Sequence, residues 1–206
     1  MAERRYGRPA PPTESTVHNA DWYGRDLSGE QHSRVAFIDA DLTETTGPSV
    51  VFSECTFRGA AFNASRHTDA AFVNCTFTRC RFFDVAFVGC KFVGSMFDGC
   101  AFGPFTVEGG DWSFTGLPGA DLRRSSFTRV RMREADLTGA RCQDAAFREV
   151  DLSGSWFHRA DFSRCDLRGS VLSGLDPTTV ALKGAVIDPL QAVALTEALG
   201  LVVRTG

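Results

Sequence analysis

An apolar residue stands at nearly every fifth position of this 206-residue chain from Trp22 to Ile187, and the phase never slips. We call each of these 34 positions the centre of a five-residue unit; fifteen hold Phe, nine Leu, two Trp, and one each Val, Met, Cys and Ile. The exceptions are His32, Gly47, His67 and Pro177. A period of five fits neither a helix nor a flat strand. It indicates a repeat architecture in which each unit buries its face against its neighbours.

Each unit has a second position that is suited to burial. The residue two places before the centre is small or β-branched in 30 of the 34 units. Two inward and three mostly polar positions in every five cannot form the apolar stripe of an amphipathic helix. They predict a coil with flat sides, in which each unit makes one side.

The seven cysteines follow this pattern and predict no metal site. Cysteine behaves at the small inward position as one buried residue among several, and metal-binding spacings such as CxxC are absent. Cysteines that lie 20 residues apart are placed to stack, but a disulfide is disfavoured in a reducing cytosol. Six cysteines occupy the inward position and the last is a centre: Cys55, Cys75, Cys80, Cys90, Cys100 and Cys165, and Cys142.

Several units resemble the A(D/N)LXX unit of pentapeptide-repeat proteins, among them Ala40-Asp41-Leu42, Ala120-Asp121-Leu122 and Ala135-Asp136-Leu137. The resemblance covers residues 20 to 187. It implies an all-β fold, a right-handed quadrilateral parallel β-helix with four units per coil, so that centres 20 residues apart stack on one side. The predicted core comprises Phe57, Phe72, Phe77, Phe82, Phe87, Phe92, Phe97, Leu122, Leu137 and Leu152.

The two ends of the chain depart from the repeat. Residues 1–19 are irregular and rich in proline, and we expect a flexible tail. Residues 188–206 predict a short helix, with Asp188 as N-cap, Pro189 in its first turn and Gly200 beyond its end. Its apolar residues favour a homodimer interface, although a cap on a monomer is the alternative. The predicted interface comprises Leu190, Val193, Ala194, Leu199, Leu201 and Val202.

Two interior segments disturb the pattern without inserting residues. At Gly47-Pro48 a glycine replaces a centre, which predicts a turn that bulges from the wall. At Gly103-Pro104-Phe105 a large residue occupies a small-residue site, which predicts a kink between a Phe-rich and a Leu-rich half.

Composition excludes several functional classes. The 22 basic and 25 acidic side chains give a net charge of −3, so we expect no direct binding to nucleic acid or to an acidic membrane. No apolar run would span a bilayer, and the N-terminus has no secretory h-region. We therefore expect a cytoplasmic protein. No catalytic or phosphate-binding motif is present, and a filled coil offers no pocket, so we predict that the chain is not an enzyme and has no cofactor.

The resemblance also implies a function. The Qnr and MfpA groups of the family are dimers that bind DNA gyrase or topoisomerase IV, and their rod resembles duplex DNA. A protein that mimics DNA should present negative charge, and the most acidic side also carries arginines. The alternative is a scaffold that binds another cytosolic protein through outward apolar residues: Val51, Ala71, Val73, Val93, Phe83 and Trp156. The candidate partner-binding acids are Asp41, Glu44, Asp84, Asp121, Asp144 and Asp161.

Overall fold

The computed structural model describes residues 12–204, which form a parallel β-helix followed by one short helix. Each strand pairs in parallel with the strand 20 residues along the chain, so one coil contains four five-residue units. The coil therefore has four sides. We number them by their centres: side 1 starts at Trp22, side 2 at Leu27, side 3 at His32 and side 4 at Val17.

Each side carries its own sheet, completed by isolated bridges at the same 20-residue spacing. Side 4 contains β1 (Ser15–His18), β3 (Val35–Ile38), β5 (Thr56–Arg58), β8 (Thr76–Thr78) and β11 (Met96–Asp98). Side 3 contains β2 (Gln31–Ser33), β4 (Val51–Ser53) and β7 (Ala71–Val73). Side 2 contains β6 (Arg66–Thr68), β10 (Ala86–Val88), β13 (Thr106–Glu108), β14 (Ser126–Thr128) and β15 (Ala146–Arg148). Side 1 contains β9 (Arg81–Phe82) and β12 (Ala101–Phe102).

The unit around Leu42 shows how five residues make one side. The Asp41 N–H donates to the preceding coil, at the Ala20 carbonyl (2.8 Å), whereas the Leu42 N–H donates to the following coil, at the Ala61 carbonyl (2.7 Å). The Thr43 N–H donates to the Asp41 carboxylate instead (2.9 Å), which is a local Asx turn. Glu44 has φ 58° and turns the corner in the left-handed region. This pattern explains why Asp precedes many centres and why Gly often stands two places after them.

The interior is filled by stacked aromatic rings. Phe77 lies between Phe57 and Phe97, with ring centroids 5.0 and 4.7 Å away and nearly parallel planes. All ten predicted core residues are buried. The small inward residues do more than fill space, because Ser95 and Cys75 donate to carbonyls of the preceding coil at 2.7 and 3.4 Å.

The cysteines are free thiols in this structure. Burial raises the pKa of Cys90 to about 11 and that of Cys165 to about 12. Such thiols carry little thiolate at neutral pH and are poor nucleophiles.

The repeat begins earlier than the sequence boundary at residue 20. Ser15–His18 form strand β1 and pair with β3, because Val17 continues the five-residue register and packs against the core. The expectation of a flexible tail is therefore wrong for these residues. Its remainder, residues 1–11, lies outside the described residues.

The expected bulge at Gly47-Pro48 is also absent. The bonds on either side of it remain in register, from the Thr46 N–H to the Arg25 carbonyl (3.1 Å) and from the Ser49 N–H to the Thr68 carbonyl (2.9 Å). Pro48 directly follows a centre, where no N–H is needed for the ladder between coils. Proline is thus tolerated there without a change of path.

The C-terminal helix α1 (Pro189–Ala198) follows the last coil. Asp188 and Gln191 form a reciprocal capping box, and Gly200 has φ 81° just beyond the helix. Within residues 12–204, no helix has the length and apolar character needed to cross a membrane.

Candidate partner-binding surface

The six candidate acids all lie on side 1 or at the corner that follows it. Asp41, Asp121 and Asp161 directly precede centres, and bridges place each beside a residue of the next coil, such as Arg141 beside Asp121. The other three, Glu44, Asp84 and Asp144, stand at left-handed corners.

Arginines neutralise half of these acids. Asp121 accepts from both Arg123 (2.7 Å) and Arg141 (2.9 Å). The hydrogen bond from Arg123 is the main cause that lowers the pKa of Asp121. Charge on this part of side 1 therefore alternates in sign from coil to coil.

Two further pairs complete the neutralised set. Asp144 accepts two bonds from Arg164 (2.7 and 2.8 Å), and this hydrogen bonding lowers the pKa of Asp144. Asp84 pairs with Arg66 at 3.0 Å. The sequence did not predict these pairs, since their partners lie 18 to 20 residues apart and meet only when coils stack.

Most of the unpaired negative charge of side 1 lies near its N-terminal end; the exception is Asp161, which accepts hydrogen bonds from Gln143 (2.6 Å) and Ser163 (2.9 Å). Asp21 and Asp41 are bridge partners in adjacent coils, and among the described residues neither they nor Glu44 form an ion pair with an arginine or lysine. Glu44 accepts a hydrogen bond from Tyr23, which raises the pKa of Tyr23. This small acidic patch comprises Asp21, Asp41 and Glu44.

The outward apolar residues do not form one exposed stripe. Val51, Ala71, Val73 and Val93 lie on side 3 and are half-buried. Phe83 on side 1 is 61% exposed and Trp156 on side 4 is 44% exposed. The structure therefore separates the two large aromatic residues from the side 3 cluster.

Proline opens a notch in side 1 at the position where the sequence predicts a kink. Pro104 stands at a corner position and has no N–H. Corner N–H groups elsewhere donate to the carbonyl 19 residues along the chain, but the Asp84 N–H donates to the Pro104 carbonyl (3.1 Å), which is one residue further. Phe105, buried at a small-residue site, packs between Phe102 and Phe127, with centroids 5.6 and 5.4 Å away.

The wall below Phe102 is consequently interrupted. The ladder bonds expected from Phe102 and Asp121 are missing, as is the bridge between Ala101 and Asp121. The resulting hollow, which we call the arginine notch, has a volume of about 430 Å³. It is lined by Phe102, Gly103, Pro104, Asp121, Arg123, Arg124, Gln143, Asp144 and Arg164.

A second notch opens on side 4 for the same reason. Pro177 occupies a centre, and the Arg159 N–H bonds to the Thr179 carbonyl (3.0 Å) one residue late. The Phe157 N–H makes no ladder bond. The hollow of about 450 Å³ is lined by Trp156, His158 and Asp176 among others. The sequence contained the signal for both notches, namely proline at a position whose N–H belongs to the ladder.

The C-terminal helix packs Leu195 against the core but leaves its other large apolar side chains uncovered. Gln191 is buried and donates to the carbonyls of Leu167 (2.6 Å) and Ser170 (2.7 Å), so a polar side chain fastens the helix to the last coil. Leu190 is 84% exposed and Val202 is 81% exposed. All six predicted interface residues are exposed in the single chain.

The described residues contain no group of His, Cys, Asp and Glu placed to hold a metal ion. The model of the pentapeptide repeat region matches residues 80–157, and that of the SV2A/B/C luminal domain matches residues 15–102. No curated protein matches the chain.

Solved structures resemble the whole fold. One trypsin-treated variant of QnrB1, a plasmid-mediated fluoroquinolone resistance protein, is 21% identical with a TM-score of 0.60, and the match covers 94% of this chain and 97% of that one. A second variant is 22% identical with a TM-score of 0.56, covering 92% and 100%. HetL, a pentapeptide-repeat protein from the cyanobacterium Nostoc sp. strain PCC 7120, is 19% identical with a TM-score of 0.45, and the match covers 85% of this chain and 84% of that one. In its five-residue units, its four-sided coil and the match over residues 80–157, this chain is similar to pentapeptide-repeat proteins.

Proposed function

We propose that the protein binds DNA gyrase or topoisomerase IV and protects the enzyme from poisons such as fluoroquinolones or a producer's own antibiotic. The observation that carries this proposal is the likeness to QnrB1 over almost the full length of both chains. The protein acts without catalysis, as a rod that occupies the enzyme's DNA-binding surface. It works in the cytoplasm as a homodimer joined through α1 and the residues that follow it.

The distribution of charge on side 1 indicates which acidic residues would contact the DNA-binding surface of the enzyme. A basic DNA channel attracts uncompensated negative charge, and Asp121 and Asp144 are already paired with arginines. The small acidic patch is the cluster on side 1 that retains its charge, and Asp161 is a single further acid there without an ion pair among the described residues. We therefore propose that Asp41 and Glu44 contribute more to topoisomerase binding than the paired acids do.

A gyrase supercoiling and cleavage assay with purified protein, with and without ciprofloxacin, tests this function. We expect the protein to reduce drug-induced cleavage or to inhibit supercoiling. The double variant Asp41→Asn/Glu44→Gln should weaken the effect by about tenfold, since two charges in a complementary interface are lost. The matched control Asp39→Asn/Asp98→Asn removes the same amount of charge from side 4. It should change the effect on cleavage and supercoiling by less than about twofold. No effect of the wild-type protein on the host's own enzymes would refute the proposal.

The alternative function is a scaffold that binds another cytosolic protein through exposed aromatic residues. Phe83 and Trp156 favour it, because large aromatic residues are enriched where proteins bind each other. Under this alternative, Phe83→Ser or Trp156→Ser would abolish partner binding, whereas the acidic-patch variant would have little effect.

A further inference from the structure

The arginine notch exposes backbone groups that pair elsewhere in the rod. In most other units the centre N–H donates to the next coil, as Leu122 does to the Arg141 carbonyl at 2.8 Å. At the notch, the N–H groups of Phe102 and Asp121 and the carbonyls of Cys100 and Asp121 lack these bonds. Unpaired strand groups of this kind can form hydrogen bonds with the backbone of another protein.

Three arginines and two aspartates line the notch and give it a net charge of +1. The same side of the rod also holds the acidic patch. Arg123 is held by Asp121 and Arg164 by Asp144. Arg124 contributes to the lowered pKa of Asp144 after the hydrogen bonding and charge of Arg164, but it makes no hydrogen bond with a carboxylate among the described residues. Its guanidinium is the donor that remains for an incoming anion.

The notch does not end at Pro104. A smaller hollow of about 220 Å³ lies on the other side of this proline, and Pro104 and Arg124 line both spaces. A ligand that crosses the corner would pass Arg124 on its way. An elongated ligand therefore fits this arrangement better than a compact one.

We propose that the arginine notch binds an extended acidic segment of a partner protein, with a carboxylate paired to Arg124 and the segment's backbone bonded to the open wall beside Phe102. This site is separate from the acidic patch and does not depend on the partner being a topoisomerase. It would place two surfaces of opposite charge on one side of the rod.

Fluorescence anisotropy with the labelled peptide acetyl-Glu-Val-Glu-Val-Glu-amide and the full-length protein tests the site directly. We expect saturable binding that Arg124→Gln weakens by at least about tenfold, since a charge-assisted pair is lost. Arg81→Gln is the matched control, because Arg81 is exposed on the same side but does not line the notch. This control should change the affinity by less than about twofold. Circular dichroism should show the same fold for both variants.

A peptide with Gln in place of each Glu, and competition by inorganic phosphate, separate the possible ligands. We expect the Gln peptide to bind at least about tenfold more weakly, and phosphate to compete only at a large excess. Equal binding of both peptides, equal loss in the two arginine variants, or no saturation by about 1 mM would overturn the proposal. Displacement by phosphate at equimolar concentration would also overturn it, because the notch would then be a small-anion site.

Discussion

At the scale of single residues, His67 occupies a core position that Phe fills in the next coil. Its ring lies parallel to Phe87 at 5.8 Å and edge-on to Phe72 at 5.7 Å. Both ring nitrogens are buried without a hydrogen bond. Glycine at position 47 accommodates the ring, because a Cβ there would come within 2.9 Å of Nδ1. This site accepts a neutral imidazole and disfavours a charged one.

Burial lowers the pKa of His67 from 6.5 to about 4. The unfolded chain therefore binds a proton between these values that the folded chain does not, and the free energy of unfolding falls as the pH drops from 7 to 4. The loss from this one group is about 3 kcal/mol at pH 4. His67→Phe should remove this part of the pH dependence. Urea unfolding of both proteins at pH 7 and pH 4 measures it, and equal pH dependence in both would contradict the prediction.

At the scale of a five-residue unit, the wall resists local opening where the centre N–H is hydrogen-bonded to the next coil. The Leu137 N–H donates to the Trp156 carbonyl at 2.8 Å, whereas the next centre on that side, Phe157, lacks such a bond. We expect the Phe102 and Phe157 amides to exchange with solvent at least about tenfold faster than those of Leu122 and Leu137, since local opening is not opposed by a ladder bond. Hydrogen exchange followed by NMR tests this, and equal protection of all four would show that the wall is closed.

The same unit shows what sequence can and cannot predict. The centre and the small inward residue recur every five residues, so a coil with flat sides and a buried core follows from periodicity, whereas the number of four sides came from the resemblance to pentapeptide-repeat proteins. The pairing of Arg164 with Asp144 depends on stacking of coils and on which rotamer reaches across. The notch at Pro104 could have been predicted only with the hydrogen-bond role of each position known. Strand β1 was missed because Val17 is the only centre in a segment that is otherwise polar.

At the scale of the whole molecule, the two ends of the rod are closed differently. Near the N-terminal end, Arg25 and Glu30 occupy inward positions that hold small residues in most other units. They form an ion pair at 2.8 Å, and the Arg25 guanidinium also lies 5.2 Å from the Trp22 ring. The C-terminal end presents exposed Leu190 and Val202 instead. Exposed apolar surface of this kind is unfavourable in a monomer and favours self-association at this end.

The proposed dimer makes a direct prediction. Leu190→Glu combined with Val202→Glu should weaken dimerisation by at least about a hundredfold, because burial of charge opposes association. Folding should be preserved, since Gln191 and Leu195, and neither Leu190 nor Val202, hold the helix to the coil. Thr68→Glu, which adds a charge on side 2 far from this end, is the control. Sedimentation equilibrium should give a dimer for the wild type and the control, and a monomer for the double variant. A wild-type protein that remains monomeric at all concentrations would show that these residues only cap the rod.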